Sequence, residues 1–234
     1  MYLLEGNIGA GKTTLLNLIH NHIPSLEIVT EPVAAWSIDQ QGKSLLTEFY
    51  NNTQRWTYTM ETFTLTTRIK EYVQEQKNSN SLRIMERSIY SGYHCFAKNG
   101  YLHGFMTDLE WHAYNQLFTF LVSYLCKPPT GFIYLQTPPS ICYERTKKRN
   151  RSGEESIPLT YLEQIHEQHE QFLIQKHDIA SSLTTVPVLV IDGSTNFDKD
   201  GKALANIMQQ IESFTLQHSL TIPTRTTKRN PKQP

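Results

Sequence analysis

The stretch that decides the fold is Leu3-Leu4-Glu5-Gly6-Asn7-Ile8-Gly9-Ala10-Gly11-Lys12-Thr13-Thr14. Within it Gly6, Gly11, Lys12 and Thr13 satisfy G-x-x-x-x-G-K-S/T, the pattern of a phosphate-binding loop. Glycines let backbone N–H groups converge on phosphate oxygens without Cβ clashes. In this pattern Lys12 reaches the β- and γ-phosphates of a nucleoside triphosphate, and the Thr13 hydroxyl ligates Mg²⁺. The apolar run Tyr2-Leu3-Leu4 precedes the loop as a short strand. Leu15, Leu16, Leu18 and Ile19 follow it with the spacing of a helix that has one buried face. Strand, glycine turn and helix N-terminus are the arrangement an anion site requires. The whole segment from Gly6 to Thr14 is therefore the candidate ATP-binding loop.

The chain of 234 residues is long enough for one large domain, and its 38% hydrophobic and 19% charged content suits a water-soluble protein with a substantial core. Net charge is zero, so no global nucleic-acid footprint is present, and no apolar stretch is long enough to span a bilayer. Cys95, Cys126 and Cys142 lack metal or disulfide spacing. A first strand beginning at residue 2 leaves no room for a signal or transit peptide, so the expected location is the cytoplasm.

Four further apolar segments read as buried strands: Leu26–Thr30, Leu82–Met85, Gly131–Gln136 and Val186–Ile191. Helical stretches separate them, which predicts a mainly parallel, doubly wound α/β sheet. Ligands of such sheets gather beyond the carboxyl ends of the strands, where Glu31, Glu86, Thr137 and Asp192 fall. The domain is expected over residues 1–218. From Ser219 onward the composition shifts to Thr, Pro, Lys and Arg without periodicity, which reads as a disordered basic tail.

A bound triphosphate can drive a motion, set a switch or give up its terminal phosphate. No N-K-x-D base-reading loop of a GTPase switch is present, and Asp39-Gln40-Gln41-Gly42 follows no strand. Val188-Leu189-Val190-Ile191-Asp192 looks like a metal-binding strand of a motor, but Gly193-Ser194-Thr195-Asn196 after it reads as a loop. Carboxylates at strand ends fit phosphoryl transfer better. Glu31, followed by Pro32, can accept a proton from an attacking hydroxyl. Beside it in the expected fold, Arg87 can stabilise the transition-state charge and Glu86 can order Mg²⁺ through water. Arg145, Lys148 and Arg149 share a helix face, and with Arg151 they suit a basic lid over ATP at about 145–156.

By these pieces the chain resembles the deoxynucleoside kinases. The motifs run in order: EGNIGAGKTT, TEPVAAW, RWTYTMETFTLTTR, IMERSIYS, RTKKRNRSGEES, IPLTYLEQIHEQHEQFL and VLVIDG. The resemblance covers about Met1 to Gly193. It implies a P-loop NTPase-type sheet of five parallel strands in the order 2-3-1-4-5, usually in a homodimer. It also implies transfer of the ATP γ-phosphate to a deoxynucleoside 5′-hydroxyl with Mg²⁺. By the same resemblance Glu31 is the general base, Arg87 contacts the 5′-oxygen, and Thr13 and Glu86 serve the metal. Tyr50 and Glu155 bind the sugar 3′-hydroxyl, Trp36 and Phe96 line and stack on the base, and Arg145, Arg149 and Arg151 are lid cations. Gly153 reads as one extra residue before Glu154-Glu155.

Two departures lie in the expected base pocket. The family usually places Gln where this chain has Glu61, and an ionised Glu is acceptor-only. Guanine alone presents two adjacent donors, N1–H and N2–H, so a carboxylate here favours a purine, deoxyguanosine. Arg68 lies on the same helix face, and the Asp usually paired with it is replaced by Gly92. Arg68 is expected to pair with Glu61 or to donate to a base carbonyl. His166 and His169 stand at i, i+3 rather than the i, i+4 of H-E-x-x-H, which argues against a metal helix. Two rivals remain: a nucleoside monophosphate kinase, which needs spare cations beside Glu31, and a non-catalytic structural relative, which would have lost Lys12, Thr13, Glu31, Glu86 or Arg87.

Overall fold

The structure, a computed structural model, describes residues 1–31, 33–36, 44–78, 81–151, 154 and 156–219. Five strands form one sheet: β1 (Tyr2–Glu5), β2 (Leu26–Val29), β3 (Leu82–Glu86), β4 (Gly131–Gln136) and β5 (Val188–Asp192). Every pairing is parallel and the order is β2-β3-β1-β4-β5, the topology the resemblance implied. Central β1 is buried at all four positions, as a strand with helices on both faces must be.

The helices are α1 (Lys12–His22), α2 (Leu45–Asn51), α3 (Thr53–Glu75), α4 (Ile89–Ser91), α5 (Lys98–Leu102), α6 (Asp108–Leu125), α7 (Pro139–Arg149), α8 (Leu159–His169), α9 (Ser181–Thr184) and α10 (Gly201–Ser219). Two π-helical segments, Gly92–Ala97 and Glu170–Ile174, continue α4 and α8. Side chains alternate across the sheet with the period of two. Leu3, Met85, Phe132 and Tyr134 face α3 through Leu65, Ile69 and Tyr72. Leu4, Ile84, Ile133 and Leu135 face the other layer, with Leu15, Leu16 and Ile19 of α1 and Ile207 and Ile211 of α10. A small third cluster, Trp36, Leu46, Phe49 and Met60, lies off the end of the sheet.

Several boundaries move. The last strand begins at Val188 rather than Val186, because Pro187 has no N–H for the ladder. Glu86 and Asp192 close their strands instead of following them. The helix carrying the basic residues ends at Arg149, with Asn150 left-handed at φ 47, so Arg151 stands beyond it. Ser219, the first residue of the expected tail, is the last of α10; residues 220–234, Pro32 and Asp39–Gly42 lie outside the described residues.

Candidate active site

The glycine loop joins β1 to α1 as its spacing predicted. At Gly9, φ is +76, and a Cβ would come within 2.4 Å of the Cys142 carbonyl oxygen, so no other residue fits. Lys12 Nζ donates to the carbonyls of Gly6 (3.1 Å) and Asn7 (2.9 Å) and closes the loop into a ring. Burial and Arg87 lower the Lys12 amine to about 8, against the pull of Glu86, Glu31 and Glu5. Asn7 is a brace: its Oδ1 accepts from Ile8 N and its Nδ2 donates to Leu162 O on α8.

Two cavities open beyond the carboxyl ends of the strands. The first, of about 330 Å³, is lined by Ile8, Glu31, Trp36, Tyr50, Glu61, Arg68, Arg87 and Phe96. The second, of about 500 Å³, is lined by Gly11, Thr14, Arg145, Lys148 and the loop Thr195–Lys199. Gly9, Lys12, Thr13, Glu86, Arg149 and Arg151 line both, so the cavities meet at the glycine loop.

In the first cavity Arg68 Nη2 donates to Glu31 Oε1 at 2.7 Å and Arg87 Nε approaches the same oxygen at 3.3 Å. Burial would raise the Glu31 carboxyl, but Arg68, Arg87 and Lys12 outweigh it and hold the group below its ordinary range. This corrects the expected partner of Arg68, which is Glu31 and not Glu61. Space contributes: a Cβ on Gly92 would lie 2.7 Å from Arg68 Nη1, so a larger residue there would push the end of the Arg68 side chain away from its present position. Trp36 covers it, with Arg68 Cζ 5.1 Å from the ring centre.

Arg87 is held in a left-handed conformation, φ 58, uncommon for a side chain of its size. Its N–H donates to Leu4 O (2.8 Å) and the next N–H, of Ser88, donates to the buried Glu5 Oε1 (3.1 Å). Neighbouring β1 thus fixes the turn that aims Arg87 at Glu31 and over the Phe96 ring, 4.4 Å away. Burial works against the Arg87 charge, and Glu31, Glu5 and Glu86 more than restore it.

Glu61 has the opposite environment. It is 5% exposed, and its Oε2 is buried with no hydrogen-bond partner among the described residues. Burial pushes its carboxyl up to about 7, only partly offset by Arg68 and Arg87.

At the junction the Thr13 hydroxyl donates to both oxygens of Glu86, at 3.0 and 3.1 Å. A hydroxyl and a carboxylate side by side on the shared wall are oxygen donors of the kind Mg²⁺ takes together with phosphates. Of the three predicted lid cations, Arg145 is the exception. Its guanidinium is spent on the carbonyls of Ala10 (3.0 Å), Gly193 (3.0 Å) and Thr195 (3.2 Å), tying the glycine loop to the segment after β5.

Arg149 and Arg151 both bind Glu154, at 2.5 and 3.4 Å. Predicted Glu155 lies outside the described residues; buried Glu154 lines the first cavity with Tyr50. The sequence shows the Glu154-Glu155 pair and a loop through Thr195-Asn196 but gives no place in the site to Glu154, that loop or Tyr161. The acid pair after the basic run and the rule of strand carboxyl ends were the signals for the first two; Tyr161 had none.

A sequence profile of the family described as Deoxynucleoside kinase matches residues 3–216. The chain is 31% identical over 232 residues to a protein from Xenopus laevis named Deoxyguanosine kinase, mitochondrial, covering 90% of this chain and 88% of the relative. It is 31% identical over 234 residues to Deoxycytidine kinase 2 of Gallus gallus, covering 90% and 88%. It is 35% identical over 196 residues to Thymidine kinase 2, mitochondrial, of Homo sapiens, covering 84% and 71%.

Proposed function

The chain belongs to the deoxynucleoside kinase family, and from that premise we propose that it transfers the γ-phosphate of ATP to the 5′-hydroxyl of a deoxynucleoside. The observation that carries this reading is the shared wall of the two cavities. The triphosphate takes the second cavity, the nucleoside the first, and the reacting atoms meet at Gly9, Lys12, Thr13 and Glu86. The rival of a structural subunit needs a degraded site, and Lys12, Thr13, Glu31, Glu86 and Arg87 are all present.

Glu31 takes the proton of the 5′-hydroxyl as that oxygen attacks phosphorus, and the bond from phosphorus to the ADP oxygen breaks. Held low by two guanidinia, Glu31 is ionised at neutral pH and ready to accept. Arg87 aligns the attacking oxygen and offsets transition-state charge, while Lys12, Arg149 and the loop N–H groups receive the charge that moves onto ADP. Mg²⁺ bound at Thr13 and Glu86 supplies further neutralisation of the β- and γ-phosphates. Tyr50 and one acid of the Glu154-Glu155 pair take the sugar 3′-hydroxyl; Glu154 lines the cavity. Trp36 and Phe96 hold the base, and Glu61 favours guanine through its two N–H donors.

A homodimer fits the surface of α6. Leu109, Phe120 and Tyr124 are spaced to share a face and are 77%, 61% and 77% exposed. An apolar helix face of this kind marks an association site. Sedimentation of the wild type as a dimer and of Phe120→Asp as a monomer checks it. We place the enzyme in the cytoplasm, tested by fractionation; no described helix is long and apolar enough to cross a membrane.

The deciding experiment measures ADP release from Mg-ATP with deoxyguanosine, deoxyadenosine, deoxycytidine, thymidine and dTMP. Turnover on nucleosides, lost in Glu31→Gln, is expected. Activity on dTMP alone would make the chain a monophosphate kinase. That rival needs a free cation beside Glu31, and Arg68, though there, is spent on the carboxylate itself.

A further inference from the structure

Glu61, on α3, lines the first cavity beside Arg68 and Tyr114, and it forms no ion pair with a described residue. Its Oε2 is fully buried and unpartnered. The two nearby guanidinia converge on Glu31 instead, at 2.7 and 3.3 Å, and each lies over an aromatic ring, Trp36 and Phe96. Glu61 lines the cavity and makes no side-chain hydrogen bond or ion pair with a described residue, and a largely buried carboxyl of that kind is built to take its partner from a ligand.

We propose that Glu61 reads the nucleobase edge in two protonation states, accepting both N–H donors of guanine as a carboxylate and pairing with thymine, cytosine or adenine as a carboxylic acid. The proposal rests on the nucleoside-kinase reading of the cavity and deepens it. A carboxylic acid offers one O–H donor beside one acceptor, the same pair an amide side chain offers. Cytosine and adenine answer with an acceptor beside an amino group, thymine with an N–H beside a carbonyl. Guanine can also pair with the acid form, through O6 and N1–H, so the loss on ionisation falls on the other three bases. The carboxyl thus chooses between a narrow and a broad substrate range.

The surroundings allow this titration near neutrality. Burial raises Glu61 to about 7; Arg68 and Arg87 pull it down, and Glu31 adds to the rise. Of the other groups lining the cavity, Lys12 on α1, at about 8, begins to titrate at the upper end, an effect on the phosphate side common to every nucleoside, and those facing Glu61 keep one state. Burial raises the phenols of Tyr50 on α2, Tyr114 on α6 and Tyr161 on α8, so they stay neutral. Glu31 beyond β2 stays ionised and Arg87 beyond β3 stays cationic. Any effect of pH on the general base acts on every nucleoside alike and cancels in a ratio of two substrates.

The test is kcat/KM for deoxyguanosine and for deoxycytidine with Mg-ATP, from about pH 6 to about pH 8, one unit either side of the Glu61 value. The deoxyguanosine to deoxycytidine ratio is expected to rise about tenfold in the wild type, the fall in the protonated fraction of Glu61 over that range with guanine accepted by both forms, and to stay flat in Glu61→Gln. A flat ratio in the wild type, or an equal rise in Glu61→Gln, overturns the proposal while leaving the kinase reading intact. Absence of turnover on any nucleoside at any pH overturns both. A second measurement needs no variant: calorimetry of deoxycytidine binding at about pH 7 in two buffers of different ionisation enthalpy. Proton uptake with deoxycytidine and none with deoxyguanosine is expected; equal linkage for the two ligands rejects the proposal.

Discussion

Glu31 and Glu61 line one cavity, the first largely and the second almost fully buried, yet the fold drives their proton affinities apart. Desolvation raises each of them. Glu31 escapes because β2 and β3 end side by side, which brings Arg87 to its oxygen, and because Gly92 leaves room for Arg68 to reach the same atom. Glu61, on α3, shares a helix with Arg68 but loses it to the stronger geometry. Two carboxyls whose environments separate their pKa values are how one site assigns different tasks to the same functional group. An ionised group serves as proton acceptor at the reacting oxygen, and a group poised near neutrality serves as a donor or acceptor toward the base. Charge placement decides the difference, since the side chains are identical.

The widest test of that contrast replaces each carboxyl by its amide. Glu31→Gln should lower kcat by ~10²–10⁴-fold, the contribution of a positioned base, with deoxynucleoside binding retained in equilibrium titration. Glu61→Gln should lower kcat far less and act on the ranking of nucleosides. Equal losses of kcat in the two variants would break the comparison. The next effect comes from the cation that Glu31 captures. Removing Arg68 as Arg68→Met takes away the opposite charge that contributes most to holding the Glu31 carboxyl low, so that carboxyl should rise. The acid limb of kcat/KM against pH should move upward with it, read with a single nucleoside. An unmoved limb would mean that Arg87 alone sets the affinity of Glu31.

The glycine loop, the parallel sheet and the acids near strand ends were legible because each rests on a local pattern or on a rule of parallel sheets, whereas the strand order came only with the family resemblance. Glu31, Glu86 and Arg87 meet at the edge of the sheet because β2, β3 and β1 are neighbours. The partner of Arg68 was not legible. It depends on the 2.7 Å between a missing Cβ at Gly92 and a guanidinium on another helix, a fact of packing with no periodic signature. The anchoring of Arg145 was not legible for the same reason: it lines the second cavity, and three backbone carbonyls converge on it from the glycine loop and the segment after β5. Burial strong enough to shift Glu61 was equally invisible, because α3 mixes polar and apolar residues and its wall is completed by α6 and α8.

The smallest expected effect is on stability, and its sign follows from the same burial. The Glu61 carboxyl is about 7 when folded against an ordinary 4.5, so the folded chain binds this proton more tightly than the unfolded chain. The stability linked to it is full below 4.5, falls as pH rises, and is lost once pH passes about 7, where the folded state must hold a bare charge. That difference of roughly 2.5 units corresponds to at most ~3 kcal/mol. An amide at position 61 never ionises and escapes this loss, whatever constant cost its own N–H groups bring. The melting temperature of Glu61→Gln minus that of the wild type should therefore grow from about pH 5 to about pH 8, by several degrees for a chain of this size. The change with pH is the informative quantity, because a fixed packing defect would shift both ends equally. Glu31→Gln should show no such growth over that range, since Glu31 is held below its ordinary value and is already ionised there. Matching curves for the two variants would place both carboxyls in one electrostatic environment and dissolve the contrast between them.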